Sequence, residues 1–389
     1  MNLILKLLAG MLVGALLGLF APADVVRGLL TFKALFGQFL NFVIPLIILF
    51  YIMSGIASLE RNSGRLLGLT VGLAYLSTIL AGGFAFAVAH EVLPGLIAEG
   101  IHAAARHEQA LEPFFTVDIK PLFDVMTALG LAFIGGIGIS ATGATSLRRV
   151  ADEGRNIVEW VLASALIPLL PFYIAGVFAG MAADGTVFDT LKTFGVVLLL
   201  AVLLHWVWLA VLYTVAGTAT GRNPLRLLRT MLPAYLTALG TMSSAATIPV
   251  TLRQARAMPV RDEIGDFVIP LCATIHLCGS TITLVSCATA VMMMTAGLDV
   301  ASWSTMLPFI LMLGVAMVAA PGVPGGGVMA ALGLLASMLG FGDASLALMI
   351  ALYVAQDSFG TACNVTGDGA IAVAVDAAVP AAVAVGDEA

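Results

Sequence analysis

Composition sets the first limits on what this chain can be. Its 389 residues are 60% hydrophobic and 10% charged, with a mean hydropathy of +1.07 and a formal net charge of −6. Because soluble domains carry about 25% charged residues, these values exclude an ordinary soluble domain and a nucleic-acid-binding protein. Apolar runs such as residues 194–215 are close to the ~20 residues that a membrane-crossing helix needs, and they indicate an all-helical integral membrane protein.

The first half of the chain predicts a series of membrane helices. Residues 1–23 combine Lys6, an apolar run and a small-residue ending, a pattern also found in cleaved signal peptides. We favour a first membrane helix over residues 2–20, because the apolar run is long and one lysine makes a weak signal-peptide start. Further apolar segments lie at 32–59, 66–93, 121–140, 157–181 and 191–218, and the polar interval 94–116 predicts an exposed loop.

Two later segments are interrupted at their centres. Segment 225–258 contains SSAATIP at 243–249, and segment 303–340 contains PGVPGGG at 321–327. If the first segment is a hairpin that enters and leaves on the cytoplasmic side, most of the 17 lysines and arginines fall in the cytoplasm, in line with the positive-inside tendency. The second segment then enters the membrane from the opposite side.

This arrangement predicts an all-α multi-pass protein with eight transmembrane helices and two opposed re-entrant hairpins. Both termini would lie in the cytoplasm, and the membrane would be the cell (inner) membrane. Hairpins that enter from opposite sides are what an inverted repeat produces, and paired interrupted segments of this kind point to the substrate site of a secondary transporter. Irregular backbone at membrane depth is tolerated only where it is buried in protein or lines a wet cavity.

The last apolar segment carries a polar stripe. Asp357, Thr361, Asn364 and Asp368 fall within about 60° of one another at 100° per residue, so all four share one helix face. No lysine or arginine follows Arg261 in the sequence. An ionisable residue inside a membrane helix costs about 2.5 to 3.5 kcal/mol, so the two carboxylates argue for a functional site.

Four motifs resemble those of the dicarboxylate/amino acid:cation symporters, the family that includes glutamate and aspartate transporter homologues. They are SSAATIP at 243–249, ATIHLCGS at 273–280, GVPG at 322–325 and NVTGD at 364–368. The similarity covers nearly the whole chain, and the order and spacing of the four motifs make it specific.

The resemblance implies a homotrimer with an elevator mechanism, in which the hairpins gate the site. Residues 1–60 (helices 1 and 2) and 119–185 (helices 4 and 5) would form a static scaffold. The moving core would contain helix 3 and residues 186–378 (helix 6, hairpin 1, helix 7, hairpin 2 and helix 8). Helix 3 lies in the region 61–118, which also contains an external loop. Residues 379–389 would be a cytoplasmic tail.

The resemblance also assigns roles to individual residues. Asp357 matches the aspartate that takes the α-ammonium group of an amino acid. The other positions that match substrate contacts are Ser243, Ser244, Ser280, Val323, Gly360, Thr361 and Asn364. The positions that match cation ligands, with Na⁺ as the expected ion, are Asp368, Asn364, Thr274, Ser77 and Thr78.

Several positions depart from the family pattern. Gly360 stands where members that carry acidic substrates have an arginine, and Met242 occupies a position that is arginine in some members. His276 and Cys278 replace an Asn and an Asp, so the resemblance is weakest at the cation site of Ser77 and Thr78.

These departures predict a neutral amino-acid substrate. A zwitterion can pair its ammonium with Asp357 and its carboxylate with helix N-termini. A second carboxylate would be a buried charge without a basic partner, which costs several kcal/mol. Gly360 also predicts room for side chains larger than those of Ser, Thr or Ala. His276 is either a proton carrier or a buried histidine satisfied by a backbone carbonyl.

Other interpretations remain open from the sequence. The main one is a symporter of acidic amino acids or C4-dicarboxylates, driven by Na⁺ or protons. An intramembrane aspartyl protease fits poorly, because Asp357 and Asp368 are about 16 Å apart along one helix and Thr366 breaks the protease motif. A passive channel is a further class, and the hydroxyl and amide side chains could simply satisfy broken helices. We expect no enzymatic activity.

The four cysteines do not change this prediction. Cys272 and Cys278 lie near His276 and could contribute soft metal ligands, but small buried thiols are common in helices. Their apolar surroundings make a disulfide framework improbable. The expected partners are a small amino-acid substrate, membrane lipid and two further copies of the chain.

Overall fold

The fold is built from helices, several of which are long and apolar enough to cross a membrane. The computed structural model describes residues 3–58, 64–97, 111–295, 298, 302–318, 320 and 324–379, and no strand occurs within these ranges. The helices are α1 (Leu3–Phe20), α2 (Ala23–Ser58), α3 (Gly64–Ile97), α4 (Val125–Thr142), α5 (Thr145–Val161), α6 (Ile167–Ala183), α7 (Val187–Thr220), α8 (Pro224–Thr241), α9 (Ser244–Ala257), α10 (Asp262–Ile275), α11 (Cys278–Met294), α12 (Trp303–Val318), α13 (Gly326–Leu339) and α14 (Asp343–Ala378). A π-helical turn, Leu162–Leu166, joins α5 to α6.

Six helical stretches of the described residues are long and apolar enough to cross a membrane. They are Ala23–Ala57, Leu66–Leu96, Thr145–Ala183, Thr190–Thr220, Asp262–Met294 and Asp343–Ala378. The shorter apolar helices are Leu5–Phe20, Thr127–Thr142, Trp303–Val318 and Gly326–Leu339. Because a transmembrane helix needs ~20 apolar residues, the six long stretches agree with the predicted multi-pass class.

Two helices begin earlier than the sequence pattern predicted. The segment predicted over 32–59 starts at Ala23, and the segment predicted over 157–181 starts at Thr145. In both cases the missed turns carry charged residues, which lie outside the apolar runs by which the segments were predicted. In α5 these charges occupy one face, while Ala151, Gly154 and Val158 are buried on the other. An amphipathic helix of this kind has no continuous apolar run, so hydropathy alone misses it.

The predicted interruptions are confirmed where the structure describes them. Segment 225–258 divides into α8 and α9 at Met242, which has a φ of +52°, and Ser243 caps α9 by accepting a hydrogen bond from the Ala246 N–H at 3.2 Å. Segment 303–340 divides into α12 and α13, although residues 321–323 of its tip lie outside the described residues. A third interruption, at His276 and Leu277, separates α10 from α11.

Helix α14 is the most enclosed of the long stretches. Within an apolar window of 18 residues in this helix, 89% of the residues are buried inside the protein. The corresponding share for the stretch Thr190–Thr220 is 33%. It packs mainly against α11, α7, α8 and α10. Because its surroundings are protein rather than water, every polar group on α14 must find its partner within the protein or in a cavity.

Helices α1 and α6 make unusually close contact. Gly10, Gly14 and Gly18 face α6, and a Cβ atom added at each would lie only 2.2 to 2.4 Å from a backbone oxygen of that helix. In an apolar environment, small residues spaced by four allow backbones to approach and maximise van der Waals packing. The glycine spacing of α1 therefore fixes this helix pair.

Replacing Gly14 by alanine should separate α1 from α6. The new Cβ would lie 2.2 Å from the Ala175 carbonyl oxygen, and a backbone atom cannot move aside as a flexible side chain can. Overpacking of this kind costs about 1 to 3 kcal/mol. Thermal unfolding of the detergent-solubilised protein should show a lower midpoint for Gly14→Ala. The matched control is Gly72→Ala in α3, where the new Cβ meets nothing within 4 Å. Equal midpoints for the two variants would contradict this packing argument.

Candidate functional site

The polar stripe predicted on α14 is buried along its length. Asp357, Thr361, Asn364 and Asp368 all have exposed fractions of 5% or less. The first three line one cavity, whereas Asp368 lies beyond it. The stripe thus divides into a part that faces a cavity and a part that faces other side chains.

The cavity lies where several interrupted helices meet. Its polar lining consists of Ser244, Thr274, Ser280, Tyr353, Asp357, Thr361 and Asn364. Its apolar lining consists of Met242, Ala273, Leu277, Ala320 and Gly327. The space between these residues is about 340 Å³ when the open side of the cavity is included. Among the described residues that line it, Asp357 is the one ionic side chain and none is basic.

Asn364 fixes the start of α11 from the neighbouring helix. Its Oδ1 accepts hydrogen bonds from the backbone N–H groups of Gly279 at 2.7 Å and Ser280 at 3.1 Å, and its Nδ2 donates to the Ser280 hydroxyl at 2.9 Å. The first N–H groups of a helix have no partner within the helix, so an amide from α14 satisfies them. The positive end of α11 is thereby held at the cavity wall.

Asp357 is fixed in a similar way by α13. Its Oδ2 accepts a hydrogen bond of 2.7 Å from the backbone N–H of Gly325, the N-cap of that helix. Gly325 has a φ of +78°, a conformation that favours glycine. The hydroxyl of Tyr353, one turn earlier on α14, interacts with the side chains of Asp357 and Ser280. The carboxylate is therefore oriented by groups from both α13 and α14.

His276 bridges Asp368 to α3. Its Nδ1 lies 2.9 Å from Asp368 Oδ1, and its Nε2 lies 2.9 Å from the Ser77 hydroxyl. All three side chains are buried. The histidine is thus satisfied by two side chains, and not by a backbone carbonyl as the plainer of our two sequence interpretations held. The second carboxylate oxygen, Asp368 Oδ2, is buried without a hydrogen-bond partner among the described residues.

Thr78 and Thr274, which match ligands of two cation sites other than that of Asp368, make hydrogen bonds within their own helices. The Thr78 hydroxyl donates to the Ala74 carbonyl within α3 at 2.8 Å. The Thr274 hydroxyl donates to the Leu271 carbonyl at 2.8 Å, and Thr274 lines the cavity. A hydroxyl that donates to a carbonyl keeps its oxygen lone pairs, so these bonds leave the predicted cation roles of both residues as predictions.

The other predicted substrate contacts occupy different places. Ser244 lines the cavity, and its neighbour Ser243 caps α9. Val323 lies outside the described residues. Gly360 is buried where α14 packs against α11, and it does not line the cavity. A Cβ atom added at Gly360 would lie 3.4 Å from the Thr283 hydroxyl oxygen and 3.5 Å from the Ser280 Cα. These are ordinary contact distances, so a small side chain fits at this position.

Two residues of the site were missed by sequence reasoning. Tyr353 lies four residues before Asp357 and extends the polar stripe by one turn, so the helical period was a signal that could have found it. His205 of α7 lies 3.0 Å from the Gly279 carbonyl and 3.1 Å from the Thr283 hydroxyl through its Nε2. Nothing in the local sequence of α7 indicated that contact.

A polar cavity enclosed by the ends of interrupted helices, within a chain of several membrane-length helices, defines a membrane transporter. Residues 3–378 match the sodium:dicarboxylate symporter family, and the chain belongs to that family. It is therefore a multi-pass membrane transporter and not an enzyme, as the sequence predicted.

The curated relatives are similar over nearly their full length. The serine/threonine transporter SstT of Streptococcus thermophilus (strain ATCC BAA-250 / LMG 18311) is 26% identical over 390 residues, which cover 94% of each chain. SstT of Acinetobacter baylyi is 26% identical over 408 residues, covering 96% of this chain and 98% of the relative. Both relatives fit the neutral amino-acid branch that the departures at Gly360 and Met242 predicted.

The bridge through His276 predicts a specific loss of stability. His276→Ala would leave the buried Asp368 carboxylate and the Ser77 hydroxyl without this partner, at a cost of about 1 to 3 kcal/mol or more because one partner is a carboxylate. Thermal unfolding should show a clearly lower midpoint. The control is His90→Ala in α3, because the Nδ1 of His90 has no hydrogen-bond partner among the described residues. If both variants lose the same stability, the bridge contributes nothing beyond packing.

Proposed function

We propose that the protein is a secondary active symporter that couples the uptake of neutral amino acids to a cation, with Na⁺ as the driving ion. The observation that carries this proposal is the cavity lining, which offers one carboxylate, Asp357, and no basic side chain among its described residues. The names of the relatives, serine/threonine transporters, support the same substrate class.

The charges of a neutral amino acid match those of the cavity. Its ammonium group would pair with Asp357, which the Gly325 N–H and Tyr353 already orient. Its carboxylate would be met by the hydroxyls of Ser244 and Thr361 and by the positive N-terminal ends of α9 and α13. An acidic substrate would bring a second carboxylate with no cation to receive it. Since about 1.4 kcal/mol is a factor of ten, an unpaired buried charge lowers affinity by orders of magnitude.

Asp368 is the residue that would hold the coupling cation. Its Oδ2 is a buried carboxylate oxygen without a hydrogen-bond partner among the described residues, which is an arrangement that a hard cation would satisfy. When bound there, Na⁺ would neutralise the carboxylate inside the membrane. Ser77 and Thr78 remain the candidates for a further Na⁺; the Ser77 hydroxyl is also bonded to His276, and the Thr78 hydroxyl donates to the Ala74 carbonyl.

The helix lengths support the proposed topology of eight transmembrane helices and two opposed re-entrant hairpins. Helices α9 and α13 have 14 residues each, about 21 Å by rise, which is too short to cross a hydrocarbon core of about 30 Å. As arms of hairpins that reach the middle of the membrane, with α8 and α12 as the other arms, they need only half that depth. Both termini would then lie in the cytoplasm, and the membrane that the helices cross would be the cell membrane.

The elevator mechanism remains part of this proposal. In it a scaffold of residues 1–60 and 119–185 would hold a core of helix 3 and residues 186–378, and three copies would form a homotrimer. Of the predicted external loop over 94–116, the first residues belong to α3, which ends at Ile97, and residues 98–110 fall outside the described residues, as do residues 380–389 of the predicted tail. The close glycine contact of α1 with α6 supports a rigid scaffold.

A symporter of dicarboxylates or acidic amino acids is the second candidate. The description of the family, which names sodium and dicarboxylates, favours it. Against it stands the cavity lining, in which no described side chain could receive the additional carboxylate.

An uptake assay separates the two candidates. Purified protein in liposomes with an imposed Na⁺ gradient should take up serine, threonine or alanine and should leave aspartate and succinate outside. Asp357→Asn should lower the uptake of the neutral amino acids at least a hundredfold, because breaking a buried ionic contact costs about 3 to 5 kcal/mol. Good uptake of succinate or aspartate without uptake of neutral amino acids would refute the proposed substrate class.

Asp368→Asn tests the coupling ion. We expect this variant to lose both Na⁺-driven uptake and the rise in unfolding temperature that Na⁺ binding gives to the wild-type protein. The thermal measurement needs no transport and reports binding directly. Asp262→Asn is the matched control, since that side chain is 75% exposed at the start of α10. Full Na⁺ stabilisation of Asp368→Asn would place the cation elsewhere.

A further inference from the structure

Tyr353 forms one wall of the cavity. Its exposed fraction is 1%, and it is among the largest fully buried side chains of the protein. Its hydroxyl interacts with Asp357 and Ser280, both of which also line the cavity. A buried tyrosine needs a partner for its hydroxyl, and one partner here is the side-chain carboxylate of Asp357, which is proposed to bind the ammonium group of the substrate.

Gly327 faces this tyrosine from the first turn of α13. A Cβ atom at Gly327 would lie 2.3 Å from the Tyr353 hydroxyl oxygen, 3.1 Å from its Cζ and 3.6 Å from the Ser280 Cβ. The space between α13 and α14 therefore has no room for even one methyl group. Glycine at 327 and tyrosine at 353 are complementary, since the missing side chain on α13 leaves the place that the phenol fills.

We propose that Tyr353, seated against Gly327, is a specificity-determining residue that limits the cavity to amino acids with side chains about the size of those of alanine and serine. This inference rests on the proposed neutral amino-acid transport and narrows it. It also replaces our expectation that Gly360 leaves room for large side chains, because Gly360 faces α11 while Tyr353 faces the cavity.

The physical reason is steric. The phenol ring is held between α13 and the carboxylate, so a longer substrate side chain cannot displace it without breaking its contacts to Asp357 and Ser280. In apolar pockets one additional methylene changes selectivity by about 10- to 200-fold. Tyr353 also has a positioning role, because its hydroxyl interacts with the carboxylate that receives the ammonium group.

Competition measurements on the full-length protein in liposomes test the size limit. Leucine and methionine should compete poorly with labelled serine in the wild type, and at least tenfold better relative to alanine in Tyr353→Ala. Tyr353→Phe should keep the size preference and raise the KM for serine and alanine alike, because the ring stays and the hydroxyl is lost. Tyr213→Phe in α7 is the control, since that hydroxyl donates to the Thr366 carbonyl at 2.7 Å, away from the cavity.

A second variant pair keeps the inference falsifiable if Tyr353→Ala fails to fold. Gly327→Ala should abolish serine binding because its Cβ meets the tyrosine hydroxyl, and adding Tyr353→Phe, which removes that oxygen, should restore part of it. Serine binding that is unchanged in Gly327→Ala overturns the inference, and so does an unchanged leucine-to-alanine ratio in a folded Tyr353→Ala. A wild-type protein that transports no neutral amino acid overturns the proposed function, and this inference with it.

Discussion

Two carboxylates are buried in the middle of α14, and no lysine or arginine meets either of them. None of the ion pairs of the described residues joins Asp357 or Asp368 to a basic side chain other than His276. Buried charges need hydrogen bonds or opposite charges, so the surrounding structure must supply them by other means. The N-cap amide of α13 and the hydroxyl of Tyr353 meet Asp357, and the imidazole of His276 meets Asp368. Interrupted helices are what make these groups available at membrane depth.

The interruptions would expose unsatisfied backbone groups if they were not matched by side chains. Asn364 shows the solution most clearly, since one amide satisfies two N–H groups of α11 and one hydroxyl. The approach of the two helices depends on glycine, because a Cβ at Gly279 would lie 2.4 Å from the Gly360 carbonyl oxygen. Close backbone contact between helices thus has two roles in this protein. Between α1 and α6 it fixes a helix pair, and between α11 and α14 it brings an amide within reach of a helix terminus.

The sequence predicted those features that repeat within one segment. The stripe on α14 follows from the helical period, the breaks at 243–249 and 321–327 from local composition, and the long helices from hydropathy. Contacts between distant segments could not be predicted from such local patterns. His276, for example, is 199 residues from Ser77 and 92 residues from Asp368 along the chain. The direction of Gly360 was equally inaccessible, because a position 60° from the stripe can face a cavity or a neighbouring helix. Only the packing of α11 against α14 decides between the two.

In the proposed function, selectivity for charge and selectivity for size arise from different residues. None of the described side chains that line the cavity is basic, so a second substrate carboxylate would be disfavoured by electrostatics, whatever the size of the substrate. Tyr353 would limit the volume of the substrate side chain, whatever the charge of that side chain. Both constraints would meet at Asp357, because the tyrosine that bounds the cavity also interacts with this carboxylate. A substrate side chain large enough to move the ring would then also disturb the contact proposed for its own ammonium group. Size and charge recognition would in this way be coupled through a single turn of α14.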